Sequence, residues 1–184
     1  MKPNIQKGSD KVLTASNAVS FFRVLLVIPV WITISQGLKE WTLTIMVVAY
    51  LSDLLDGFVA RMTGTVSEWG KVIDPLADKI FVIVAIIALY VNGYVETWYF
   101  LLIILRDALI FFVGIWAQRK LGVVLPSNWW GKAAVLTISL TLFLSVIGVS
   151  YDVLLLSVVA SSSLAVLSVV MYGVRLASLL KQKS

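Results

Sequence analysis

Asp53, Asp56, Asp74 and Asp78 fall in the order Asp53-x2-Asp56-Gly57-x2-Ala60-Arg61-x8-Gly70-x3-Asp74-x3-Asp78, inside a very apolar chain. A buried carboxylate is costly in a membrane, and four together call for a cation to hold them. The chain contains no histidine and no cysteine. A metal site built here therefore has oxygen ligands only, which suits hard divalent cations, with Mg²⁺ the default and Mn²⁺ an alternative. Two such ions cancel the four negative charges and, about 3.5–4 Å apart, can clamp the attacking and leaving oxygens of an in-line displacement. That is phosphoryl-transfer chemistry.

The elements that must position these residues follow from hydropathy. Of the 184 residues, 60% are hydrophobic and 14% charged, and the mean hydropathy is +0.97. Soluble domains carry about a quarter charged residues, so the composition predicts an all-α, polytopic membrane protein. A hydrocarbon core of ~30 Å takes about 20 helical residues. Six spans are expected, over residues 18–35, 41–60, 72–90, 98–118, 133–148 and 153–176. The breaks are at Gln36-Gly37, Met62 to Gly70, Asn92-Gly93, Gly122 to Gly131 and Ser150 to Asp152. No connecting segment is long enough for a second domain, so residues 1–184 are read as one membrane domain. The polar N-terminal stretch lacks a signal-peptide pattern, and the first span is expected to stay as an anchor.

The net charge of +5 does not form a nucleic-acid patch. Lys2, Lys7, Lys11, Arg61, Lys71, Arg119, Lys120, Lys132, Arg175, Lys181 and Lys183 flank the spans on one side, against Lys39, Glu40, Glu96 and Asp152 on the other. That asymmetry places both termini in the cytoplasm. Trp41, Trp69, Trp98, Trp129 and Trp130 sit at span ends, where an interfacial belt would put them.

On these spans Asp53 and Asp56 share one helix face, and Asp74 and Asp78 share another. Asp53 lies roughly 12 Å inside Arg61, and Asp78 roughly 10 Å inside Lys71. The two antiparallel helices can thus bring four carboxylates together near the cytoplasmic surface. Gly57, Ala60 and Gly70 leave room for a ligand beside them, and Arg61 is placed for phosphate oxygens. A lone Asp-x-x-Asp pair or a lone glycine would be read as structural, but the full string at fixed spacing would not.

The string resembles the signature of the CDP-alcohol phosphotransferases at every defined position, and size and span number extend the resemblance over nearly the whole chain. It implies a six-helix membrane enzyme, often a homodimer, that displaces CMP from a CDP-linked lipid with an alcohol. By position, Asp53, Asp56 and Asp74 would ligate metal, and Asp78 would touch metal and act as general base. Asp56, Gly57, Ala60, Arg61 and Gly70 would line the nucleotide pocket.

Two segments resemble the branch that makes phosphatidylglycerophosphate. These are Asp74-Pro75-Leu76-Ala77-Asp78-Lys79 and Asn17-x2-Ser20-x2-Arg23, the latter with Ser where that branch has Thr. The donor would be CDP-diacylglycerol and the acceptor sn-glycerol 3-phosphate, with Arg106, Arg119 and Lys132 as candidates for the acceptor phosphate. Each has a simpler reading: an ion pair with Asp107 for Arg106, and orientation signals for Arg119 and Lys132. Lys79 is equally a counter-charge to the acids, and Arg23 a partner for an interior acid. The chain departs from the branch at Gly131-Lys132-Ala133-Ala134-Val135, where Gly-Lys-x-Lys-Thr is usual. Phosphatidylglycerol (giving cardiolipin) and inositol phosphate therefore stay open as acceptors. Two rivals also use clustered acids. A membrane prenyltransferase would lack the Gly-x2-Ala-Arg continuation, and a cation transporter would place its acids near the bilayer midplane.

Overall fold

The structure, a computed structural model, describes residues 21–63, 70–122 and 129–183, with side chains described except at 53–63, 70–78, 121 and 181–183. All regular structure among these residues is helical. Phe21–Ser35 is apolar and helical, with a turn at Leu26 before α1 (Val27–Ser35). Then come α2 (Lys39–Thr63), α3 (Gly70–Val91), α4 (Thr97–Leu121), α5 (Trp129–Ile147) and α6 (Tyr151–Lys183). Thr97–Lys120, Trp129–Ile147 and Tyr151–Leu180 are long and apolar enough to cross a membrane. Phe112, Leu136 and Leu156 are each more than 60% exposed, as side chains facing lipid would be.

The chain divides into two compact units, Met1–Asn92 and Gly93–Ser184. In the first, α1 packs on α2 and on α3. Val30 and Ile34 of α1, Ala49 of α2, and Ala85, Ala88 and Leu89 of α3 are buried there. Small residues at such positions let helices approach closely where lipid removes the hydrophobic drive for association.

In the second unit α6 packs on both α4 and α5. Two bonds fix the register of α4 against α6. The Tyr99 hydroxyl meets Ser161 Oγ at 2.7 Å, and Arg106 Nε donates to Ser168 Oγ at 3.2 Å. Both pairs are 62 residues apart, so the helices run parallel with Tyr99 and Arg106 two turns apart on one face. Thr141 of α5 joins the first pair, its hydroxyl 3.3 Å from Ser161 Oγ and 3.1 Å from the Ser157 carbonyl. At Gly114 an added Cβ would stand 3.1 Å from the Tyr172 hydroxyl. A side chain at that position would require the Tyr172 hydroxyl to shift by a few tenths of an ångström.

Several other polar side chains are satisfied within their own helix. Thr33, Thr137, Ser145, Ser157 and Ser163 each donate to a carbonyl three or four residues earlier. Such back-bonding removes the need for water in an apolar medium. α4 ends at Gly122, whose φ of 65° is left-handed and whose N–H bonds the Gln118 carbonyl. Gly148, with φ 79°, similarly closes α5.

Candidate active site

Asp53 and Asp56 fall on the helical backbone of α2, and Asp74 and Asp78 on that of α3. Gly57, Ala60 and Arg61 continue along α2, and Gly70 opens α3. A helical backbone keeps positions three or four apart on one face, so each aspartate pair shares a face of its helix. The side chains of all eight residues lie outside the described ones, as do Asn17 and Ser20. The described residue nearest Asp53 along α2 is Ser52, buried and donating to the Ala49 carbonyl at 2.7 Å. Among the described residues no group of three acidic, histidine or cysteine side chains is placed to hold a metal.

The donor set itself fits a divalent cation. Four carboxylates on two helices would supply hard oxygen ligands, and the chain has no histidine or cysteine to compete. Lys79, one residue past Asp78 on α3, is exposed. Arg23, in the helical segment before α1, is buried. A lone cation there would be costly, so its burial marks it as a tied-down group in the first unit.

The three candidates for the acceptor phosphate have different settings. Arg106 is buried, 8% exposed, and its guanidinium reaches in three directions. Nε donates to Ser168 Oγ at 3.2 Å. One terminal nitrogen pairs with the Asp107 carboxylate, and the other donates to the Gly131 carbonyl at 3.3 Å. Arg106 therefore ties α4 to α6 and to the first turn of α5. Sequence alone gave Asp107 as its partner but could not supply Ser168 or Gly131, which come from helices far along the chain. Lys132 follows Gly131 directly and is exposed. Arg119 is also exposed, near the end of α4 and roughly 20 Å along the helix from Arg106. The structure thus brings Arg106 to the turn that carries Lys132, while Arg119 stands apart along α4.

Three described helices long and apolar enough to cross a membrane, in an all-helical chain, define a membrane protein. A sequence model of the CDP-alcohol phosphatidyltransferases matches residues 13–174, and the chain belongs to that family. It is 40% identical over 88 residues to the CDP-diacylglycerol--glycerol-3-phosphate 3-phosphatidyltransferase of Mycoplasma pneumoniae, a match covering 48% of this chain and 38% of that protein. It is 31% identical over 134 residues to the cardiolipin synthase (CMP-forming) of Streptomyces coelicolor, covering 68% and 61%. A Mycobacterium tuberculosis protein named "Probable phosphatidylglycerophosphate synthase" is 25% identical over 171 residues, covering 89% and 80%. The chain spans less than two thirds of the length of the Mycoplasma and Streptomyces relatives.

Proposed function

We propose that this chain is an integral-membrane phosphatidyltransferase that displaces CMP from CDP-diacylglycerol with an alcohol, sn-glycerol 3-phosphate being the acceptor. The observation that carries this reading is the eight-residue string from Asp53 to Asp78, complete and placed on two helices. The family match, which extends over most of both units, supports treating residues 1–184 as one catalytic domain. The composition and the charge asymmetry support six spans, cytoplasmic termini and a site facing the cytoplasm in a cell membrane. A homodimer is the assembly that the family resemblance implies.

In this reading Asp53, Asp56, Asp74 and Asp78 hold two divalent cations, Mg²⁺ by preference. When bound, the cations would neutralise the diphosphate and the departing CMP. The chain's own residues do the rest. Gly57, Ala60 and Gly70 leave space for the nucleotide, and Arg61 binds phosphate oxygen. Asp78 accepts the proton of the acceptor hydroxyl as that oxygen attacks the lipid-linked phosphorus. The bond to CMP breaks, and CMP leaves with the electron pair. Without cysteine or histidine, direct transfer is simpler than a covalent enzyme intermediate. Lys132 and Arg119 are exposed cations available to an acceptor phosphate.

Chelation with EDTA should abolish CMP release, and Mg²⁺ should restore it while Ca²⁺ should not, because Ca²⁺ prefers more ligands at longer distances. Activity that survives chelation would refute the metal assignment. A second reading, cardiolipin synthesis from phosphatidylglycerol, is favoured by the Streptomyces relative and by Ala134 where the phosphatidylglycerophosphate branch has lysine. Supplying CDP-diacylglycerol with each acceptor in turn and weighing the lipid product separates the two.

A further inference from the structure

At the end of the second unit where α4 begins, α5 ends and α6 begins, a cleft of about 240 Å³ opens. None of the residues assigned to catalysis lines it. Tyr94, Trp98, Tyr99 and Tyr151 contribute four aromatic rings, and Glu96 is the single charged side chain. Leu142, Leu155 and Val158 make its wall apolar. Tyr99 is 3% exposed at its base, whereas Tyr151 is 74% and Trp98 49% exposed at its rim.

Within the second unit, the charge along the helix ends that form the cleft has one sign. From Gly93 to Leu105 and from Ala133 to Val174 the only charged residues are Glu96 and Asp152. The Glu96 carboxylate is held in place by Trp98, whose indole N–H donates to Oε2 at 2.9 Å. An anionic headgroup entering here would meet the Glu96 carboxylate and no cation in the lining. An ammonium group would meet a fixed carboxylate and aromatic faces, which attract cations through the ring quadrupole. Trp98 and Tyr151 suit an interfacial belt on their own. A belt, however, does not require a carboxylate anchored among the rings or a buried tyrosine beneath them.

We propose that this cleft binds the ammonium group of an amphiphile, with Glu96 and the aromatic rings around the charge and the alkyl chain along Leu142, Leu155 and Val158. The cleft shares no residue with the aspartate quartet and does not depend on the transferase reading. Under the topology proposed above it faces the outer leaflet.

The test is calorimetric titration of the full chain in dodecyl maltoside micelles, which carry no ammonium group. Hexyltrimethylammonium should bind saturably, tetramethylammonium more weakly, and hexanesulfonate not at all. Glu96→Gln should weaken hexyltrimethylammonium binding about tenfold, and Tyr151→Leu about threefold. Glu96 makes no side-chain cap bond to α4, and glutamine keeps an acceptor for Trp98, so the fold should persist. Glu40→Gln removes a carboxylate from the first unit and should change nothing. Equal binding of hexanol, or an unchanged affinity in Glu96→Gln, would overturn the proposal. Tetramethylammonium binding as tightly as the hexyl compound would overturn the amphiphile assignment in favour of a soluble cation.

Discussion

Asp78→Asn is expected to lower CMP release from CDP-diacylglycerol by roughly 10²–10⁴-fold, the range that a positioned general base contributes. Asparagine keeps the size and one oxygen, so nucleotide binding and the thermal unfolding transition should stay close to wild type. The proton of the acceptor hydroxyl then has no carboxylate to receive it, and the attacking oxygen is a poorer nucleophile. Saturating acceptor should not restore the rate, because the loss lies in the chemical step. Turnover at the wild-type rate would remove Asp78 from the role of base.

Arg106→Ala is expected to destabilise the second unit by roughly 1–3 kcal/mol, the penalty for stranding buried hydrogen-bond partners. The bonds to Ser168 and to the Gly131 carbonyl are lost together, and α4 loses its hold on the first turn of α5. Arg106→Lys should recover part of the loss only, since one ammonium cannot reach three directions as a planar guanidinium does. Thermal unfolding of the purified protein reads this directly. An unchanged transition with a raised KM for the acceptor alone would instead make Arg106 an acceptor contact.

Much of the helical layout was legible in the sequence because hydropathy and glycine report on the backbone. The span expected over residues 98–118 appears as Thr97–Leu121, and that over 72–90 as Gly70–Val91. Some helices continue beyond their apolar stretch. α6 was expected to stop at Leu176 but extends to Lys183. A helix entering water needs no apolar side chains to keep its backbone bonded. At α5 the break was drawn through Gly131, yet Trp129, Trp130 and Gly131 already form its first turn. Aromatic and glycine residues there read locally as interface and loop. Among the described helices three have the length and apolar character of spans, while six were expected, so the full count rests on the proposal.

The candidate site divides along the same line. The aspartate spacing could be read because helix periodicity turns sequence distance into a shared face. The setting of Arg106 could not, since Ser168 lies 62 residues away and Gly131 25 residues away. The cleft beside Glu96 was equally hidden. Its walls come from three chain segments, each of which reads alone as an ordinary membrane-interface sequence.

The manner in which polar groups are satisfied bears on biogenesis. Among the described residues, most serine and threonine hydroxyls that hydrogen-bond close on their own helix and are content as soon as that segment enters lipid. Arg106 is different, because two of its three partners emerge from the ribosome after its own helix has been made. The fourth helix should therefore linger at the translocon until the fifth and sixth arrive. A glycosylation-mapping assay of nascent chains truncated before Trp129 should show poor insertion of that helix, relieved by Arg106→Leu. Equal insertion of the two would mean that Asp107 alone suffices to shelter the charge.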